Sequence, residues 1–231
     1  MAGSNADGVR VKAFVPPLWW IAAALGATAV VLVMGFQVAP VASEISPLEA
    51  PSSGEELTQV LQRHGSVVRI TLGLDYLFIG LYTVTFWGLY QWVRGQEPAR
   101  FAIGLALLAA LWDVSENTLL LSIVSQVGEG ADVGDDVASL VVALSSVKWA
   151  TAAGAVLLFG VALSAGDVPQ RLIAITGFVF ALVTTLSLLD LGGALASQAR
   201  LVLMPVLLLV TGAVAVYLRW AGRSPTAREA A

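Results

Sequence analysis

Cysteine is absent from the 231 residues, and histidine occurs once, as His64. The first absence excludes disulfides, thiolate metal sites and cysteine nucleophiles. The second excludes any centre that needs two imidazoles, bis-histidine haem among them. Charge is scarce as well: 12% of the residues are Asp, Glu, Lys or Arg, against roughly 25% in an ordinary soluble domain. The small imbalance is negative, a formal −4 with a pI near 4.9, which argues against nucleic acid as a partner. No low-complexity tract, soluble domain, convincing internal repeat or cofactor-binding motif stands out, and no catalytic constellation or metal-ligand spacing is evident.

What is abundant is apolar surface. Hydrophobic residues make up 58% of the chain and the mean hydropathy is +0.84. A water-soluble protein of this composition would have too few polar side chains to cover itself, so lipid must solvate much of it. A helix needs about 20 apolar residues, at 1.5 Å each, to cross a hydrocarbon core of about 30 Å. Six segments qualify: 18–38, 68–93, 101–124, 138–164, 171–191 and 201–220. The expected fold is therefore all-α, a polytopic bundle of six spanning helices over residues 14–222. Residues 1–13 form a polar N-terminal segment expected to be disordered, and 223–231 a charged tail. The first apolar run exceeds the 7–15-residue core of a secretory signal, so it is expected to remain as a helix.

Between the first two spans, residues 39–66 are polar and rich in Pro and Ser. Ser53 and Glu56 have capping-box spacing, and Leu57, Val60 and Leu61 recur at helical intervals. This predicts a short amphipathic helix lying at the membrane interface in the first outer loop. Orientation follows from the basic residues. With the N-terminus inside, Arg10, Lys12, Arg94, Arg100, Arg171, Arg219, Arg223 and Arg228 are cytoplasmic, and only Arg63, Arg69 and Arg200 lie opposite. That distribution satisfies the positive-inside rule with both termini in the cytoplasm. A bacterial cytoplasmic membrane is the expected location.

Four ionisable residues interrupt the apolar runs: Asp75, Asp113, Glu116 and Lys148. A charge at the bilayer centre costs about 2.5–3.5 kcal/mol, so these side chains are expected to face the bundle interior. Counting 1.5 Å per residue from the outer ends of their spans puts all four about 10–16 Å deep, in one layer. Asp113, Glu116 and Asn117 share a helix face at i, i+3, i+4. Thr71, Asp75, Ile79 and Tyr82 form a stripe on the second span, and Ser145, Lys148, Thr151 and Ala152 form another on the fourth. Trp112 and Trp149 each adjoin a buried charge and would wall a pocket or stack on a cation. The sequence thus predicts that Lys148 pairs with one or more of Asp75, Asp113 and Glu116.

The expected function is binding, with translocation as an extension, of a proton, a small cation or a polar lipid headgroup at this cluster, which is expected to face outward. Two other readings compete. One is an intramembrane enzyme using paired carboxylates, with Asp75, Asp113 and Glu116 as oxygen ligands to Mg²⁺ or Mn²⁺. Neither aspartate has the Gly-x-Gly-Asp context of intramembrane aspartyl proteases. The other is an accessory membrane protein in which the charges only fix helix packing. Small residues such as Gly154, Ala155 and Gly177 would serve either homo-oligomer contacts or internal packing. His64 is expected to be solvated, and Asp190 to cap a helix at the interface or to pair with Arg200. Pro205 is expected in the first turns of the last span, and the remaining tryptophans, Trp19 and Trp20 among them, at the headgroup boundary.

Overall fold

A computed structural model describes residues 14–45, 48, 50–191 and 193–222, so the two terminal segments, residues 46, 47 and 49, and Gly192 lie outside the described residues. Among the described residues the chain is helical and has no strand: α1 Leu18–Val38, a 3₁₀ turn Ala39–Val41 leading into the short α2 Ala42–Ile45, α3 Gly54–Val93, α4 Glu97–Gly128, α5 Asp135–Ser164, α6 Val168–Leu188 and α7 Gly193–Ala221. Six helices are long and apolar enough to cross a membrane. The protein is an integral membrane protein of the helical-bundle type.

Helix boundaries follow from local chemistry. Proline stands in the first turn of α4 and of α6, where the missing N–H is no loss. Asp167 and Gln170 form a reciprocal capping box on α6. At the start of α3, Ser53 Oγ accepts from the Glu56 N–H at 3.1 Å, but the Glu56 carboxylate turns to the N–H and hydroxyl of Ser52, both at 2.7 Å. The segment expected as a separate interfacial helix is continuous with the second span, in one helix of 40 residues. No proline interrupts residues 54–93, and the buried faces of Leu57 and Leu61 give the polar part a tertiary partner. Similarly, α7 starts at Gly193, well ahead of the expected 201, which leaves Pro205 inside the helix.

Short turns at 94–96 and 165–167 make successive helices antiparallel neighbours. α3 packs on α4, α4 on α5, α5 on α6, α6 on α7, and α7 returns to α1, which packs on α3; α5 also touches α3 across the interior. The helices therefore close into a ring. We call the end with the α3 N-terminus, the α4–α5 loop and the α6–α7 turn the upper end, and the opposite end the lower.

Two apolar cores fill the bundle. The lower, larger one draws on all six long helices and includes Trp20, Phe86, Phe159, Phe180 and Leu208. Trp20, expected at the headgroup boundary, is fully buried, donates its indole N–H to the Thr85 carbonyl at 2.9 Å, and packs on Phe14 and Trp92; Trp19 is exposed. A Cβ at Gly88 would enter the Trp20 ring, so glycine permits the α1–α3 approach. Gly154 faces Leu105, Gly177 faces Val156 and Ala155 is fully buried, which places these small residues in internal packing.

The upper core is built from α3, α4 and α5: Leu57, Leu61, Val68 and Leu72 meet Leu120, Ile123, Val124, Val127, Ala138 and Val141. The Gly54 N–H donates to Asp135 Oδ1 at 2.7 Å, and Thr58 Oγ1 accepts from the Val133 N–H at 2.9 Å, which fastens the upper end of α3 to that of α5. A Cβ on Gly54 would strike the Val133 carbonyl.

Candidate functional site

Between the two cores lies a layer of polar side chains. On α3 the upper core ends at Leu72 and the lower begins at Phe78; on α4 the corresponding limits are Leu120 and Ala110, and on α5 Val141 and Trp149. Asp75, Asp113, Glu116, Asn117, Ser145 and Lys148 fall in these gaps. Helical period explains why they meet. Asp113, Glu116 and Asn117 occupy the buried face of α4, one to two turns above buried Ala109 and Ala110, with Ala106 further down the same face.

The Lys148 ammonium lies 3.1 Å from Asp113 Oδ1 and forms a close ion pair with Glu116 Oε2. Tyr82 donates to Asp113 Oδ2 at 3.2 Å, and the Asn117 amide donates to Asp75 Oδ2 at 2.7 Å. Asp113, Glu116 and Asn117 are buried, whereas Asp75 is half-buried. The predicted pairing is thus seen with Asp113 and Glu116. Asp75, on the neighbouring helix, is held through an amide instead and sits within the electrostatic reach of Asp113, Glu116 and Lys148. Thr151 is half-buried and bonds the Val147 and Lys148 carbonyls of its own helix, at 2.8 and 2.9 Å. Trp112 is half-buried, and its indole N–H has no acceptor among the described residues.

Trp149 does stack on cations, and on two of them. The Lys148 ammonium lies 5.5 Å from its ring centroid and the Arg200 guanidinium 4.2 Å. Arg200 is the residue missed by sequence reasoning, which placed it in the loop before the last span. It is buried, one turn beyond Ser197, whose hydroxyl lies 3.0 Å from that of Ser187 on α6. The signal was present: Gly193–Arg200 contains no proline and continues the helical pattern of α7 upward. Asp190 occupies the turn after α6 with φ 54°, the left-handed position usually taken by glycine. His64, expected to be solvated, is half-buried and meets Glu44 Oε2 at 2.9 Å.

The exterior of the bundle changes near this layer. On α4 the exposed residues include Phe101, Leu107, Leu108 and Leu111 below it, Val114 within it, and Thr118, Ser122, Ser125 and Gln126 above. On α3 the change comes between Arg69 and Ile70, about 8 Å above Asp75; on α5 the apolar face runs on to Leu140, about 12 Å above Lys148. At the α3–α4 seam the surface is polar at the level of the charges themselves: the Tyr76 and Thr118 hydroxyls pair at 2.8 Å in an exposed position.

Fold and site together define a polytopic helical membrane protein with a buried ion-pair layer between two apolar cores. Comparison with family models, with curated proteins and with solved structures gives no match to any of them.

Proposed function

We propose that the protein is a membrane-embedded binding protein that takes up one unit of positive charge at the Asp75–Asp113–Glu116–Lys148 layer, carried by a proton, a small cation or the ammonium of a polar lipid headgroup. The observation that carries this reading is a charge count in one place. Asp75, Asp113 and Glu116 contribute three negative charges, while Lys148 and Arg200, both against Trp149, contribute two positive ones. In a low dielectric an unmatched charge is expensive, so one further positive charge belongs to the resting site.

Asp75 is the acceptor we assign to it, because its partner Asn117 supplies a hydrogen bond without a charge. Lys148 acts as a tethered counter-ion within the Asp113–Glu116 fork. Among the described residues no group of three His, Asp or Glu is arranged to hold a metal. Apolar cores above and below the layer favour binding over translocation. In the proposed orientation the lower end is cytoplasmic, the side that the distribution of basic residues favours. The upper ends of α3, α4 and α5 then stand beyond the outer boundary of a bacterial cytoplasmic membrane.

The test is thermal unfolding of the purified chain in detergent across pH, and with Li⁺, Na⁺ or K⁺ at constant ionic strength. Stabilisation by protons or by one of these cations is expected in the natural protein and absent in Asp75→Asn. A melting temperature indifferent to all of them in the natural protein would remove the proton and alkali-cation forms of the proposal.

A further inference from the structure

We infer that the site is loaded sideways from the bilayer, through the seam between α3 and α4, and that the positive charge it takes is the primary ammonium of a zwitterionic lipid headgroup. This rests on the reading that Asp75 accepts one positive charge, and it adds the route and the chemical class of the ligand.

The route follows from what blocks the others. Directly above the charges, Leu72 and Leu120 and then Val68, Val124 and Val141 fill the space between α3, α4 and α5. Directly below lie Phe78, Ile79, Ala106 and Ala110. An ion descending from water along the bundle axis would have to open a packed apolar core. The α3–α4 seam is different. Asp75 is half-buried there, and the Tyr76–Thr118 hydroxyl pair beside it is exposed. The surroundings of that polar spot are apolar and exposed: Leu77 on α3, Leu111 and Val114 on α4. A polar island bordered by lipid-facing side chains, at the level where the exterior of α4 turns polar while that of α3 is still apolar, meets headgroups before it meets bulk water.

The ligand class follows from the order of groups along the seam. Asp75 is the acidic end, with the two hydroxyls next to it as acceptors. Six residues higher on α3, about 9 Å away, exposed Arg69 leans onto α4, its guanidinium 3.4 Å from the Val124 carbonyl. Carboxylate below and guanidinium above match a headgroup that inserts its ammonium and leaves its phosphodiester nearer the surface. A primary ammonium has three N–H donors for these oxygen acceptors. A quaternary ammonium would instead need open aromatic faces, and those of Trp149 carry Lys148 and Arg200.

The experiment measures binding of short-chain phosphatidylethanolamine, phosphatidylcholine and phosphatidylglycerol to the full chain in detergent, by native mass spectrometry and by the shift in melting temperature. Phosphatidylethanolamine is expected to bind best, with affinity about tenfold weaker in Asp75→Asn and in Arg69→Gln, and unchanged in Glu129→Gln. Arg69 lies at the exposed edge of the bundle, so Arg69→Gln remains informative where Asp75→Asn fails to fold. If alkali cations or protons stabilise the protein through Asp75 while the three lipids bind alike, the lateral lipid route is overturned and the charge-uptake reading stands. If neither lipids nor cations respond to Asp75→Asn, both fall.

Discussion

Lys148 holds two carboxylates at once, and its removal strands both in the buried interior of the bundle. Truncating one partner of a buried ion pair costs about 3–5 kcal/mol in soluble proteins. Lys148→Met should therefore destabilise the protein by several times more than Tyr82→Phe, which loses a single 3.2 Å hydrogen bond and should cost about 0.6 kcal/mol, the average for polar contacts between membrane helices. Unfolding in SDS titrations checks both, and a double-mutant cycle on Lys148 and Asp113 should show coupling. If each substitution costs the same, the ion pair is not what holds the layer. This cluster was legible in the sequence because a charge within an apolar run has few places to go. Arg200 was not, because it stands at the edge of such a run, where hydropathy cannot separate a loop from a buried turn. Only the packing of α7 along α6, which itself packs on α5, brings it to Trp149.

At the scale of helices, α3 shows what hydropathy misses. Its first turns are polar enough to be read as a surface element, yet helix propensity is continuous through them, and the upper core supplies the burial that keeps them in line. The N-terminal turn has its own titration. Hydrogen bonds from the Ser52 backbone N–H and hydroxyl hold the Glu56 carboxyl below its ordinary range. A carboxyl lowered on folding stabilises the turn above its unfolded value, and that contribution disappears as pH falls through the lowered one. By carboxyl NMR, Glu56 should titrate below the ordinary glutamate value, and Ser52→Ala should move it up. No movement would place the cause elsewhere. Lower on the same helix, Gly88→Ala forces a methyl group into the Trp20 ring and should cost about 1–3 kcal/mol, as overpacking does. A melting temperature equal to that of the natural protein would mean that α1 can shift to make room.

The whole molecule has a topology that can be read without removing any native thiol, because there is none. Gln96→Cys, in the α3–α4 turn, should resist a membrane-impermeant maleimide in intact cells, and Asp132→Cys, in the α4–α5 loop, should react. The reverse pattern would invert the proposed orientation. Six helices long and apolar enough to cross a membrane were readable from apolar length alone. Closure of the ring was not, since nothing in a linear pattern says that the last helix returns to the first. That closure imposes an order on biosynthesis. The hairpin of α3 and α4 enters the bilayer carrying three acids before Lys148 has been translated, and Arg200 arrives only with the final helix, which α1 must await for its second neighbour. A nascent chain therefore holds Asp75, Asp113 and Glu116 without their ammonium partner until α5 has been made.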